Sequence, residues 1–78
     1  MSNKITVYST PTCVYCKLAK EFFAENNLSF EDFDVSEDRD KLQEMVEKSG
    51  QMGVPVISID EKVIIGFDEA KIREILKI

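Results

Sequence analysis

The chain is expected to fold as an α/β domain, a four-stranded mixed sheet flanked by three helices in the order β-α-β-α-β-β-α. Three observations lead there. Extended and helical patterns alternate through the first two thirds of the chain. Two short apolar runs come next, separated only by Asp60-Glu61, as in a hairpin. A last amphipathic stretch begins at a capping aspartate, Asp68. Alternating units lay strands parallel while a hairpin adds an antiparallel pair, so the sheet is mixed and needs helices to cover it. With 78 residues there is room for one domain and one modest core, so residues 1–78 are read as a single unit.

Each element has a local reason. Ile5 and Val7 alternate with Thr6 and Tyr8, giving a first strand over 4–8. Ser9-Thr-Pro-Thr12 is a turn, and either Thr10, with Pro11 first in the helix, or Thr12 would cap the first helix. That helix runs through Lys17 to Asn26, with the cysteines at its opening, and Leu18, Ala19, Phe22 and Phe23 make one apolar face. Asn26-Asn27 suits its end, because asparagine tolerates a left-handed backbone. Ser29 to Val35 reads as the second strand. A helix over 38–49 carries a narrow stripe of Leu42, Met45 and Val46, with Met45 as core filler, and Gly50 stops it. Beyond the loop Gln51-Met-Gly-Val-Pro55, 56–60 and 62–65 are strands joined by a tight turn at Asp60-Glu61. The last helix starts after Asp68 and runs through Ala70, Ile72, Ile75 and Leu76.

Apolar residues make up 44% and charged residues 32%, the balance of an ordinary globular protein. No apolar run approaches a membrane span, and Met1-Ser-Asn-Lys4 lacks a signal-peptide pattern, so a cytoplasmic protein is expected. There a working dithiol is more natural than a standing disulfide. The net charge of −5 makes nucleic acid and anionic membrane poor partners. The charge is uneven: residues 1–20 hold Lys4, Lys17 and Lys20 and no acid, while residues 21–40 hold eight acids against Arg39 alone. The cysteines thus sit in the stretch free of carboxylates, which favours a thiolate unless acids approach in space.

Cys13 and Cys16 are separated only by Val14 and Tyr15. A thiol in the first turn of a helix faces N–H groups with no partner inside the helix, and these, with the helix dipole, favour a thiolate. A second thiol three residues on lies on the same face, where it can close a disulfide. A structural staple fits poorly, because cross-links stabilise mainly by closing long loops. A zinc site needs three or four ligands, and the chain has no third Cys and no His. Two inert buried cysteines are the competing reading. The strand–CxxC–helix placement favours a reversible two-electron switch.

This order, with Cys13-Val-Tyr-Cys16 after the first strand, resembles the thioredoxin superfamily, and the length resembles its glutaredoxin branch. The resemblance implies a thioredoxin-like fold over nearly the whole chain. It also implies that Val54-Pro55, in Gly53-Val54-Pro55, is a cis bond beside the cysteines, leaving the Val54 backbone free to pair with an extended substrate. Otherwise Pro55 simply starts an edge strand. Ile65-Gly66-Phe67-Asp68 matches the glutaredoxin Gly-Gly-x-Asp segment that grips the γ-glutamyl end of glutathione, with Ile65 replacing the first glycine. Asp68 also reads as a plain helix cap. Ile65, and Val14 where glutaredoxins commonly have proline, resemble the redoxins that feed ribonucleotide reductase. Tyr15 matches a tyrosine flanking bound glutathione. Thr10 replaces a lysine that pairs with its glycine carboxylate, a contact Lys17 and Gln51 would partly replace. The implied substrate or glutathione contacts are Thr12, Tyr15, Lys17, Gln51, Val54, Pro55, Gly66, Phe67 and Asp68. Met52 has no ligand logic.

The expected reaction is thiol–disulfide exchange. Cys13 attacks a disulfide and Cys16, deeper, displaces the product. No metal or tightly bound cofactor is needed, and glutathione serves as reducing co-substrate. The expected partners are disulfide-containing or glutathionylated proteins, and the chain is expected to be a monomer. In one alternative, a thioredoxin-reductase-type flavoprotein reduces the chain, which then donates to a reductase. In another, two chains and two glutathiones carry an iron–sulfur cluster through Cys13.

Overall fold

A computed structural model describes residues 4–78, and the reading of Met1 to Asn3 as free of a leader lies outside the described residues. The elements are β1 (Ile5–Ser9), α1 (Val14–Glu25), β2 (Glu31–Asp34), α2 (Arg39–Ser49), β3 (Val56–Ile59), β4 (Lys62–Ile65) and α3 (Glu69–Leu76). They form one four-stranded sheet in the order β2-β1-β3-β4. β1 and β2 are parallel, while β3 is antiparallel to both β1 and β4. Among the described residues no helix is long and apolar enough to cross a membrane.

Strand alternation divides the apolar residues between two cores. Ile5 and Val7 of β1, Ile57 and Ile59 of β3 and Ile64 of β4 pack with Ala19, Phe22 and Phe23 of α1 and with Ile72 and Leu76 of α3. The opposite face presents Tyr8 and Val56 to Met45 of α2, beside Val35. Met45 is fully buried, as its place in the stripe implied. Full burial of a ring such as Phe23 contributes roughly 2–3 kcal/mol, so the α1 side holds much of the fold together. The Tyr8 hydroxyl donates to Glu44 and accepts from Lys48 Nζ at 3.3 Å, which satisfies the polar end of this ring in the second core. Burial pushes the Tyr8 phenol up, and its hydrogen bond holds the Glu44 carboxyl down.

The stop signals act as their residue types demand. Gly50 ends α2 in the left-handed conformation at φ 77°, and Asn27 turns the chain after α1 at φ 56°. Asp38 and Asp68 accept from the backbone N–H groups of Lys41 and Lys71 and so cap α2 and α3. Asp60, at φ 55°, belongs to the β3–β4 turn rather than to β3. β2 is shorter than the span 29–35, because it pairs only with Thr6 to Ser9. The larger departure is at α1. The helix begins at Val14, and neither Thr10 nor Thr12 caps it: the Cys13 N–H donates to the Thr10 carbonyl at 3.3 Å, closing a turn that leaves Cys13 itself as the extended N-cap.

Candidate functional site: a cysteine pair at a helix start

Register brings three loops to one end of the sheet. Tyr8 lies opposite Val56, so the segment before β3 stands beside the turn that leaves β1. Val56 lies opposite Ile65, and the Gly66 N–H donates to the Pro55 carbonyl at 2.9 Å, which ties the loop after β4 to the same place. The Val35 N–H donates to the Ser9 carbonyl at 2.9 Å, so the β2–α2 turn flanks the other side. The Val54-Pro55 peptide bond is cis. Among the described residues, no hydrogen bond engages the Val54 N–H or carbonyl.

The two cysteines are free thiols in different surroundings. Cys13 is half-buried, and its Sγ accepts the Cys16 N–H at 3.2 Å, the N-cap to N3 bond that a serine or aspartate oxygen ordinarily makes. A sulfur there sits at the positive end of the helix dipole. Cys16 is wholly buried. Desolvation pushes its thiol up from an ordinary 9.0 to about 12; the hydrogen bond to Cys13 adds to this, while a backbone hydrogen bond from Thr10 and the Lys20 charge work against it. The pair is therefore asymmetric: one sulfur open to a partner, the other kept as a neutral thiol beneath it.

The surrounding residues divide into contacts that are free and contacts already used. Thr12 is exposed on the turn, and Tyr15 and Lys17 are exposed beside Cys13. Gln51 is half-buried, its backbone held by the Ser49 hydroxyl. Gly66 has φ 79°, which only glycine adopts without strain. Phe67 turns inward, its ring 5.8 Å from that of Phe22, and Asp68 is used as the α3 cap. Val14, Tyr15, Met52 and Ile65 are 54–69% exposed, the most open large apolar side chains among the described residues; Val14 and Tyr15 open α1 between the cysteines, Met52 lies in the loop before β3 and Ile65 ends β4. Met52 was invisible in the sequence because a lone methionine carries no spacing signal. A 490 Å³ hollow along the β2–α2 turn and a 590 Å³ one between β4 and α3 are lined by neither cysteine.

The carboxylate-free stretch is not carboxylate-free in space. Asp32, from β2, accepts from Lys20 Nζ at 3.0 Å and from the Ser9 hydroxyl at 2.7 Å. Lys20, at i+4 from Cys16, was the signal that something polar faces the second thiol.

A family model for glutaredoxin matches residues 5–64. A glutaredoxin-like 8.6 kDa protein of the rubredoxin operon in Clostridium pasteurianum, described as uncharacterised, is 44% identical over 94% of this chain and 97% of its own length. Glutaredoxin 3 of Escherichia coli K12 is 35% identical over 88% of this chain and 82% of its own. The glutaredoxin-like protein NrdH of Lactococcus lactis IL1403 is 27% identical over 91% and 97%. Among solved structures, a point mutant of the thioredoxin-like protein BC3987 matches with a TM-score of 0.89 at 34% identity, over 95% of each chain. Architecture, the cysteine-bearing helix start and these matches along nearly the whole sequence agree: the chain belongs to the glutaredoxin family, whose members are generally thiol–disulfide oxidoreductases.

Proposed function

We propose that the chain is a dithiol thiol–disulfide oxidoreductase that reduces protein disulfides and glutathione mixed disulfides. The observation that carries this is the asymmetry of the pair: Cys13 half-buried at a helix start, Cys16 fully buried one turn beneath it. Cys13 Sγ attacks a substrate disulfide, a Cys13–substrate bond forms, and the first product leaves as a thiolate that takes up a proton. Cys16 then loses its proton, its sulfur bonds to Cys13, and the second substrate sulfur departs. Two electrons have passed to the substrate. The two sulfurs suffice for this, with no tightly bound cofactor. The free Val54 backbone pairs with the substrate as an added strand, and Thr12, Tyr15, Lys17, Gln51, Pro55, Gly66, Phe67 and Asp68 line its path. Glutathione returns the electrons, and the cytoplasm is where such a dithiol works.

A second reading has a specific observation behind it. Ile65 stands 54% exposed where the glutaredoxin pattern has glycine, and Val14, Tyr15 and Met52 extend an apolar rim around Cys13. Such a rim suits a protein surface better than an anionic tripeptide. In that reading a thioredoxin-reductase-type flavoprotein supplies the electrons. Turnover of a glutathionylated peptide and of a protein disulfide, with glutathione and its reductase against NADPH and thioredoxin reductase, separates the two. Turnover with glutathione supports the first, turnover only with the flavoprotein supports the second, and none with either removes both.

A further inference from the structure

Lys20, Asp32 and Ser9 form a polar chain beside the buried thiol that the exchange steps above do not use. Lys20 lies one helical turn beyond Cys16 on α1, hence on the same face. Its ammonium donates to Asp32 Oδ2 at 3.0 Å, and Asp32 Oδ1 accepts from the hydroxyl of buried Ser9 at 2.7 Å. Ser9 thus holds the carboxylate, and the carboxylate holds the ammonium toward the β2 edge. The groups acting on Cys16 are Cys13 and the Thr10 backbone from the turn and Lys20 from its own helix, and Lys20 is in turn ion-paired with Asp32 of β2. A cation one turn away favours a thiolate at Cys16, and a carboxylate in contact with that cation cancels much of its field.

We propose that Lys20 is a positioning residue for the resolving step, its charge easing loss of the Cys16 proton, and that Asp32, held by Ser9, is a brake on that charge. The inference rests on Cys16 being the resolving thiol. In that step Cys16 gives its proton to solvent, its sulfur electron pair forms the Cys13–Cys16 bond, and the bond from Cys13 to the bound sulfur breaks. That sulfur leaves with the electron pair. The rate therefore tracks the thiolate fraction at Cys16. Burial dominates at Cys16 and the Lys20 cation is already engaged by Asp32, so this fraction is expected to be small.

The test loads Cys13 with thionitrobenzoate as a mixed disulfide and monitors release of the coloured thiolate from about pH 6 to about pH 9, where tenfold per pH unit is the response of a thiol titrating above the range. Lys20→Met is expected to slow release on the order of three- to tenfold, displacing the rate–pH line to higher pH, and Lys20→Arg to restore it. Asp32→Asn is expected to speed release about two- to fivefold, and to do nothing once Lys20 is Met. Added salt narrows these gaps, since the pair is about one-third exposed. Alkylation of Cys16 by a neutral reagent in a Cys13→Ser background gives a second measure of the same charge. Slowing by both Lys20→Met and Asp32→Asn, or unchanged rates in both, overturns the inference. Failure of the wild-type chain to release the reporter removes the exchange reading together with it.

Discussion

Cys13 and Cys16 differ because the backbone treats them differently. Cys13 caps α1 and keeps part of its surface open; Cys16 supplies the N–H that bonds to it and is itself enclosed. Attack and resolution divide accordingly. Cys13→Ser is expected to abolish reduction of both protein disulfides and glutathione mixed disulfides. Cys16→Ser is expected to keep deglutathionylation, where a second glutathione can resolve Cys13, and to lose protein-disulfide reduction. Equal loss of both activities in the two variants, measured with the two substrates side by side, would contradict that division. The role of Cys13 as N-cap was not legible beforehand, because the residues known to cap helices are Ser, Thr, Asp and Asn, and two threonines stood nearby. Its position at the helix start was.

At the scale of elements, punctuation made the chain legible. Gly50, Asn27, Asp38 and Asp68 each sit where their backbone or side-chain chemistry ends or begins a helix, and each does so in the structure. Gly50 offers a clean test. An added Cβ would meet nothing within 4 Å, so Gly50→Ala strains only the backbone at φ 77°. A loss of about 1 kcal/mol is expected, which in a domain of this size lowers Tm by about 4–8 °C. An unchanged Tm would mean that the α2 end relaxes to another conformation. The structure places β2 at an edge of the sheet, where Glu31, Asp32 and Asp34 are charges that discourage pairing with a second chain. What the sequence could not reveal was the approach of Asp32 to Lys20. That contact arises from the parallel β1–β2 register and helix docking, neither of which leaves a mark in local spacing.

For the whole molecule, buried thiol and phenol groups and a hydrogen-bonded carboxylate make opposite demands on pH. Cys16 and Tyr8 are both held neutral by burial, their ionisation pushed up. A group whose proton is bound more tightly in the folded chain contributes stability fully present below its unfolded value and lost as pH rises. For Cys16 that window runs from about 9 to about 12, and Tyr8 adds loss above its ordinary 10.0. Glu44, held down by Tyr8, acts in the reverse sense, and its contribution fades as pH falls through the carboxylate range. Urea denaturation across pH is expected to show a plateau near neutrality and a decline above about 9 that Cys16→Ala makes shallower. An alkaline limb with the same slope in Cys16→Ala would assign the loss elsewhere.

The division of labour between the sulfurs is read most directly by trapping. Cys16→Ser and Cys13→Ser chains are each exposed to a glutathionylated peptide, quenched with acid, and their intact masses measured. A glutathione adduct on Cys13 of the first chain, with none on Cys16 of the second, is the predicted result. An adduct on Cys16 when Cys13 is absent, formed as readily as the other, would contradict the account.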